Sequence, residues 1–182
     1  MANPKSAYSV STKKEKSDTH IIVVWVDNEA GVLARVVGLF SGRGYNIESL
    51  AVAEVDAKRN ISRITIVTTG PPQVIDQIKL QLKKLVPVHK VADFKRNDKS
   101  VIFKEMALFK LVGNISKRKK AFNACKKYNA VILDKTNKSY VVQVTALRRE
   151  IDVMSKNLKK LGLVSVSRTG AVAMTRGAEI FK

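Results

Sequence analysis

A short polar turn followed by an apolar helix is the part of this chain best suited to hold a small ligand. After the turn at residues 28–31, apolar side chains recur at helical spacing: Val32, Leu33, Val36, Val37, Leu39 and Phe40. The first N–H groups of a helix lack partners, and the helix dipole places about half a positive charge there. Gly31 would let a carboxylate approach these groups, and the Asn28 amide can donate and accept hydrogen bonds. The pattern predicts an amino-acid site, or, more simply, a capping Asn28 and a turn at Gly31.

A second group of residues with possible chemistry is the basic run Lys117, Arg118, Lys119 and Lys120. These four cations fall in the first turn of a predicted helix, where they oppose its dipole, and Ser116 is the predicted N-cap. Free N–H groups beside cations would suit a phosphate or an acidic protein surface. The alternative is a solvated basic face.

Residue types typical of catalysis or metal binding are scarce. His20 and His89 have no cysteine or carboxylate at metal-ligand spacing, so each is predicted to be structural or superficial. Cys125 shares a helix side with Phe122 and is predicted to be a core residue. We therefore expect a non-catalytic chain that holds no metal and no cofactor of its own.

The elements that must position these residues form one pattern, βαββαβ, which occurs twice. In the first half we predict strands at 20–26, 45–55, 61–69 and 86–94, with helices at 31–43 and 71–85. In the second half we predict strands at 101–112, 130–134, 139–145 and 163–168, with helices at 116–128 and 147–160. Residues 20–95 and 101–182 then form two domains joined by a polar linker, and residues 1–19 form a disordered tail.

Most of the positive charge lies in the second half of the chain. The formal net charge is +19, and residues 99–182 carry nineteen lysines and arginines against five acids, a balance of +14. Such a field favours acidic partners. A four-stranded sheet with two helices is also the architecture of RNA-recognition motifs, but residues 61–69 and 141–145, which lie within two of the predicted strands, contain no aromatic residue to stack on bases. Nucleic acid is therefore not the expected partner.

Composition limits the cellular setting. The chain has 182 residues, of which 45% are hydrophobic, and its apolar runs fall far short of the ~20 residues that span a bilayer. Cys125 is the single cysteine, so an internal disulfide is excluded and a reducing cytosol is the expected location. We expect a cytoplasmic protein with no membrane partner.

Residues 27–50, DNEAGVLARVVGLFSGRGYNIESL, resemble the opening of the small regulatory subunit of acetohydroxyacid synthase, also called acetolactate synthase. The resemblance continues through Ala51, Val52, Ser62, Arg63 and residues 64–68, and it returns at residues 168–177, RTGAVAMTRG. It implies an α+β fold of two tandem ferredoxin-like domains, the first an ACT domain. The basic run at 117–120 departs from the family, so no role can be carried over to it.

The resemblance also implies a function. In this family the small subunit activates a separate catalytic large subunit, which carries thiamine diphosphate, Mg²⁺ and FAD and condenses pyruvate at the start of branched-chain amino-acid synthesis. It also confers feedback inhibition by a branched-chain amino acid, for which valine is the expected effector. The alternative is an ACT-type amino-acid sensor that serves a different enzyme or a transcription regulator.

The family geometry is an ACT homodimer whose sheets join edge to edge, with effector sites at the interface. The positions of this chain that match the effector-binding motif are Asn28, Glu29, Ala30, Gly31, Val32 and Leu33 from one protomer, and Asn46 and Ile47 from the other. The side-chain oxygens of Asn28 and Asn46 are expected acceptors for the effector ammonium, with Val32 and Leu33 as apolar wall. Without the family match, Asn46 is equally a turn residue after Gly44.

Overall fold

The computed structural model describes residues 17–178, which form two βαββαβ units in tandem. The first unit contains β1 (Asp18–Asp27), α1 (Val32–Ser41), β2 (Ser49–Asp56), β3 (Ile61–Gly70), α2 (Pro72–Lys83) and β4 (Val88–Lys95). The second contains β5 (Val101–Val112), α3 (Ile115–Cys125), a 3₁₀ turn (Lys126–Tyr128), β6 (Val131–Lys135), β7 (Ser139–Ala146), α4 (Arg148–Lys159) and β8 (Leu163–Thr175). The predicted α+β class and the repeated unit are confirmed.

Each unit has one antiparallel sheet with its two helices on one face. The strand order is β2-β3-β1-β4 in the first sheet and β6-β7-β5-β8 in the second. Ile22, Val24 and Val26 of β1 face α1 and α2, where they form a core with Val36 and Ile78. Phe109 and Leu111 of β5 do the same beneath α3 and α4. Cys125 is fully buried in this second core, as predicted.

The faces without helices pack against each other and join the two units. Ile21, Val23 and Val67 of the first sheet form a third buried cluster with Val101 of β5 and Ala171 and Ala173 of β8. Polar contacts frame it: the Arg63 guanidinium donates to the Ala173 carbonyl, and the Ser49 hydroxyl accepts from the Ala171 N–H at 3.3 Å. The first sheet is therefore covered on both faces, which explains why β1 reads as a continuous apolar run.

The last strand differs most from its prediction. We predicted 163–168, but β8 continues to Thr175 because the first half of β5 also needs a partner: Val101 lies opposite Thr175 and Glu105 opposite Ala171. A register shift falls between these pairs and the rest of the ladder. Gly170 lies at this shift with φ +80°, and a Cβ there would come within 2.9 Å of the Ser49 hydroxyl oxygen.

Smaller corrections concern the ends of elements. Residues 45–48 were predicted to open β2, but they form a connection in which the Tyr45 N–H still donates to the Phe40 carbonyl. Gly44 has φ +69°, the left-handed conformation in which the chain often leaves a helix. Most of the predicted tail at 1–19 lies outside the described residues, and β1 includes Asp18 and Thr19.

The close approach at Gly170 generates a stability prediction. Gly170→Ala should lose about 1–2 kcal/mol through left-handed backbone strain and about 1 kcal/mol more through the displaced Ser49 contact. Gly44→Ala is the matched control, because it has a similar positive φ and open space around the added Cβ. Urea unfolding of both variants measures the difference. Equal losses would mean that the contact between the two units does not resist the added methyl group.

Candidate functional site

The turn between β1 and α1 leaves a helix N-terminus open. Gly31 is the N-cap residue, with φ +84° and no atom within 4 Å of where its Cβ would lie. No side chain caps α1, and its first turn contains no acidic residue. The Val32 N–H reaches the Glu29 carbonyl only at 3.4 Å. The end of α1 therefore keeps unsatisfied donors and uncompensated positive dipole charge, as an anion site requires.

Among the other helix starts in residues 17–178, those of α3 and α4 have a side-chain hydrogen bond, whereas α2 follows Pro71 and has no side-chain cap. At α3 the Asn114 side chain accepts from the Lys117 N–H at 2.9 Å, and at α4 the Glu150 carboxylate accepts from the Leu147 N–H at 2.9 Å. At α1, Gly31 stands where a capping side chain would be, which leaves this helix start open.

Asn28 is held beside this helix end by two residues that sequence reasoning missed. Its N–H donates to the Asn60 carbonyl at 2.7 Å, and the Asn60 amide returns a bond to the Asn28 carbonyl at 3.2 Å. The Ser62 hydroxyl donates to the Asn28 side-chain oxygen at 3.0 Å. That oxygen accepts one bond already, and the amide NH2 can donate, so the Asn28 side chain can serve a carboxylate as well as the ammonium predicted for it.

The remaining predicted residues of this turn divide between surface and core. Glu29 and Ala30 are exposed and Leu33 is 41% exposed, so they border the open helix end. Val32 is 3% exposed and packs into the first core, so its side chain does not form the predicted wall. The apolar wall on this side is therefore left to Leu33.

Asn46 and Ile47 lie at the opposite end of the same sheet. The Asn46 carbonyl accepts from the Thr68 hydroxyl at 2.7 Å, and Ile47 packs against the first core. Thr68 lies opposite His20 on β1, whereas Ser62, the partner of Asn28, lies opposite Val26. Six residues of strand, roughly 20 Å, separate the two places. A single chain does not bring Asn28 and Asn46 together.

The four cations at the start of α3 do not all lie on the surface. Lys117, Lys119 and Lys120 are exposed, whereas Arg118 is 2% exposed and its side chain does not lie on the surface with them. Asn114, and not the predicted Ser116, is the N-cap, because α3 begins one residue earlier at Ile115. The surface cluster is therefore three lysines on a helix end that is already capped.

Arg118 holds the β6–β7 hairpin. Its guanidinium donates to the carbonyls of Gly113 at 2.9 Å, Thr136 at 2.7 Å and Asn137 at 2.6 Å, and it lies 4.5 Å from the Tyr140 ring centroid. Backbone carbonyls that no ladder bond reaches are thus satisfied by one planar cation. Arginine at this position has a structural role.

Groups typical of catalysis are occupied or inert. His20 is buried and its Nδ1 lies 2.7 Å from Asp93. Burial raises the pKa of the Cys125 thiol to about 11, so little thiolate is present at neutral pH. Within residues 17–178, no three metal-ligating side chains come together in a potential metal site. None of the helices described has both the length and the apolar content needed to cross a bilayer.

Comparison with known proteins agrees with this architecture. Residues 22–90 match the model of the acetohydroxyacid synthase small-subunit-like ACT domain, and residues 104–177 match that of the small subunit of acetolactate synthase. The fold is thus an ACT domain followed by the C-terminal domain of these subunits.

Relatives match over nearly the whole chain. The acetolactate synthase small subunit of Aquifex aeolicus is 37% identical over 92% of this chain and 86% of its own length. The isozyme 3 small subunit of Salmonella typhimurium is 36% identical over 89% and 98% respectively. The crystal structure of the small subunit from Thermotoga maritima superposes with a TM-score of 0.79 at 29% identity, covering 88% of this chain and 99% of that one. The chain belongs to the acetolactate synthase small-subunit family.

The structural role of Arg118 can be tested against its exposed neighbour. Arg118→Met should lower the free energy of unfolding by about 3 kcal/mol, because several buried carbonyls lose their charged donor at once. Lys119→Met removes the same charge from the surface and should change the free energy of unfolding by less than about 0.5 kcal/mol. Chemical denaturation measures the stability of both variants. An Arg118→Met variant as stable as the unsubstituted chain would refute the structural role assigned to Arg118.

Proposed function

We propose that this chain activates the catalytic large subunit of acetolactate synthase and makes it sensitive to valine. The chain itself is non-catalytic, and thiamine diphosphate, Mg²⁺ and FAD belong to the catalytic partner. Membership of the small-subunit family supports the partnership. The open N-terminus of α1 beside the Asn28 amide is the observation that carries the proposed effector site.

The effector carboxylate binds at the start of α1. It accepts from the free N–H groups of the first turn and from the Asn28 amide, whose oxygen is bonded to Ser62. The space in front of Gly31 admits it, since nothing lies within 4 Å of that position. The exposed Leu33 side chain provides apolar surface for the branched side chain of the effector.

A second protomer supplies the other half of the site. The edge strands of the first sheet are β2 and β4, and β2 exposes Val52 and Val55. Two copies of β2 paired antiparallel would place the Ser49 end of one strand against the Asp56 end of the other. The Ser49 end follows Asn46, and the Asp56 end lies on the side of Asn28. Such a dimer brings Asn46 and Ile47 of one protomer towards the open helix end of its partner.

Regulation then requires two states that bind valine unequally. An effector held across the dimer contacts both protomers, so it stabilises one arrangement of the two ACT sheets over others. The same sheets are packed against the C-terminal domains through the third buried cluster. A change between the ACT sheets is therefore transmitted to the domains that carry most of the positive charge.

The exposed lysines Lys117, Lys119 and Lys120 form the proposed contact with an acidic surface of the catalytic subunit or with another anion. Replacing all three with glutamine should weaken activation of the catalytic subunit at low salt, and the difference should fade as salt shortens the Debye length to about 8 Å. The matched control replaces Lys156 and Lys159 of α4 and Lys160 directly after it, which are also exposed. Equal effects of the two triple variants at every salt concentration would remove the proposed contact.

The effector site is tested by two substitutions at one position. Gly31→Asp places a carboxylate in the space that the effector carboxylate needs, so the Kd for valine should rise about 100-fold and feedback inhibition should be lost. Gly31→Ala has the same unfavourable φ but no charge, and its Kd should rise less than about ten-fold. Titration calorimetry measures binding, and acetolactate formation by the cognate catalytic subunit measures activation and inhibition.

Activation should survive both substitutions, because the contact with the catalytic subunit uses other surface. Valine binding by Gly31→Asp with the wild-type Kd would show that the turn is an ordinary helix start. Loss of activation in both variants would mean that this turn is where the chain contacts the catalytic subunit.

A further inference from the structure

A separate cavity of about 110 Å³ lies between the two domains, beside the start of α4. Its apolar floor is formed by the side of the third buried cluster, with Ile21 and Val67 from the first sheet and Phe103 and Ala171 from the second. Thr19 lines it at the start of β1, whereas Asn28 follows the other end of that strand. The cavity is thus distinct from the open end of α1 in the same chain.

The rim of the cavity is cationic. Arg96, Lys104 and Arg149 line it, and none of them has an ion pair within residues 17–178. Arg148 also lines it: its Nη1 lies 3.3 Å from the Glu48 carboxylate, yet this atom is buried and makes no hydrogen bond. Glu48 balances part of its charge, and a guanidinium with five donors can also hold an anion in the cavity.

The two acids of the cavity are already engaged. Glu105 is 3% exposed and receives two bonds from the Arg168 guanidinium, at 2.6 and 2.8 Å. Glu48 accepts from the Thr69 hydroxyl and faces Arg148. Neither carboxylate is left to receive an ammonium group, so the lining favours an anion over a cation or an amino acid.

We propose that this cavity binds a small aliphatic carboxylate that lacks an amino group. The apolar floor holds the carbon chain and the arginines of the rim hold the carboxylate. The size fits, because a cavity of about 150 Å³ accepts benzene and 110 Å³ accepts a molecule of similar or smaller size. The bound molecule touches both domains and therefore stabilises their packing. This second site does not depend on the proposed function.

The test uses three probes of the same shape and the full chain. 3-Methylbutanoate, neutral 3-methylbutanamide and cationic 3-methylbutylamine are titrated while methyl NMR signals of Ile21 and Val67 are followed. Only the carboxylate should shift these signals to saturation, with the millimolar affinity expected of so small a ligand. Binding of the amide or the amine with equal affinity would overturn the assignment of an anion site.

Two variants locate the binding. Arg149→Gln removes an exposed cation of the rim and should raise the Kd of 3-methylbutanoate about five-fold. Arg59→Gln removes the same charge from the exposed turn between β2 and β3, far from the cavity, and should leave the Kd unchanged. Equal effects of the two variants would overturn the proposal.

The titration also separates the two sites. Shifts confined to the signals of Leu33 and Val32, or no saturable shift at Ile21 and Val67, would mean that the cavity is a packing defect between the domains. Because these signals report binding directly, this outcome does not depend on whether valine regulates a catalytic partner.

Discussion

The burial of β1 on both of its faces is the constraint on which the rest of the structure depends. Ile22 and Val24 pack under the helices of the first domain, and Ile21 and Val23 pack against the second domain. A slip of one residue would exchange these two sets, so the register of the strand is fixed. The strand therefore ends at a defined place, and Asn60 and Ser62 of the neighbouring turn and strand hold Asn28 there. The open end of α1 gains its position from this packing.

The positive charge of the second half is less available than its total indicates. Arg118 satisfies backbone carbonyls, and Arg168 is bonded to Glu105 and Asp152, contacts that raise its pKa. Both arginines act within the fold. Exposed lysines at the start of α3 and along α4, together with the cationic residues around the cavity between the domains, remain accessible to partners. The proposed contact at α3 and the proposed cavity site therefore use only part of the charge that the sequence counts.

The alternation of apolar residues was enough to predict the repeated βαββαβ unit, because each helix and strand has one face in a local core. The features that this alternation did not predict depend on contacts between residues far apart in the sequence. The extension of β8 to Thr175 is set by its pairing with β5. The start of β2 at Ser49 is set by the path that the chain takes after α1. Asn28 and Gly31 were proposed as site residues from a local signal, asparagine and glycine at a helix start, together with the family resemblance. Ser62 was missed, although a buried serine in an apolar strand was a signal that it has a partner. The cavity between the domains has no local signal at all, since its lining comes from both units.

The contact between the effector carboxylate and the free N–H groups of α1 is the central claim, and backbone amide NMR tests it most directly. Titration with valine should shift the amide signals of Leu33 and Ala34 downfield to saturation, as expected for N–H groups that gain a charged acceptor. Valinamide, which keeps the ammonium and the side chain but lacks the carboxylate, should leave them unchanged. Unchanged amide signals with saturating valine, or equal shifts with valinamide, would contradict a carboxylate site at this helix end.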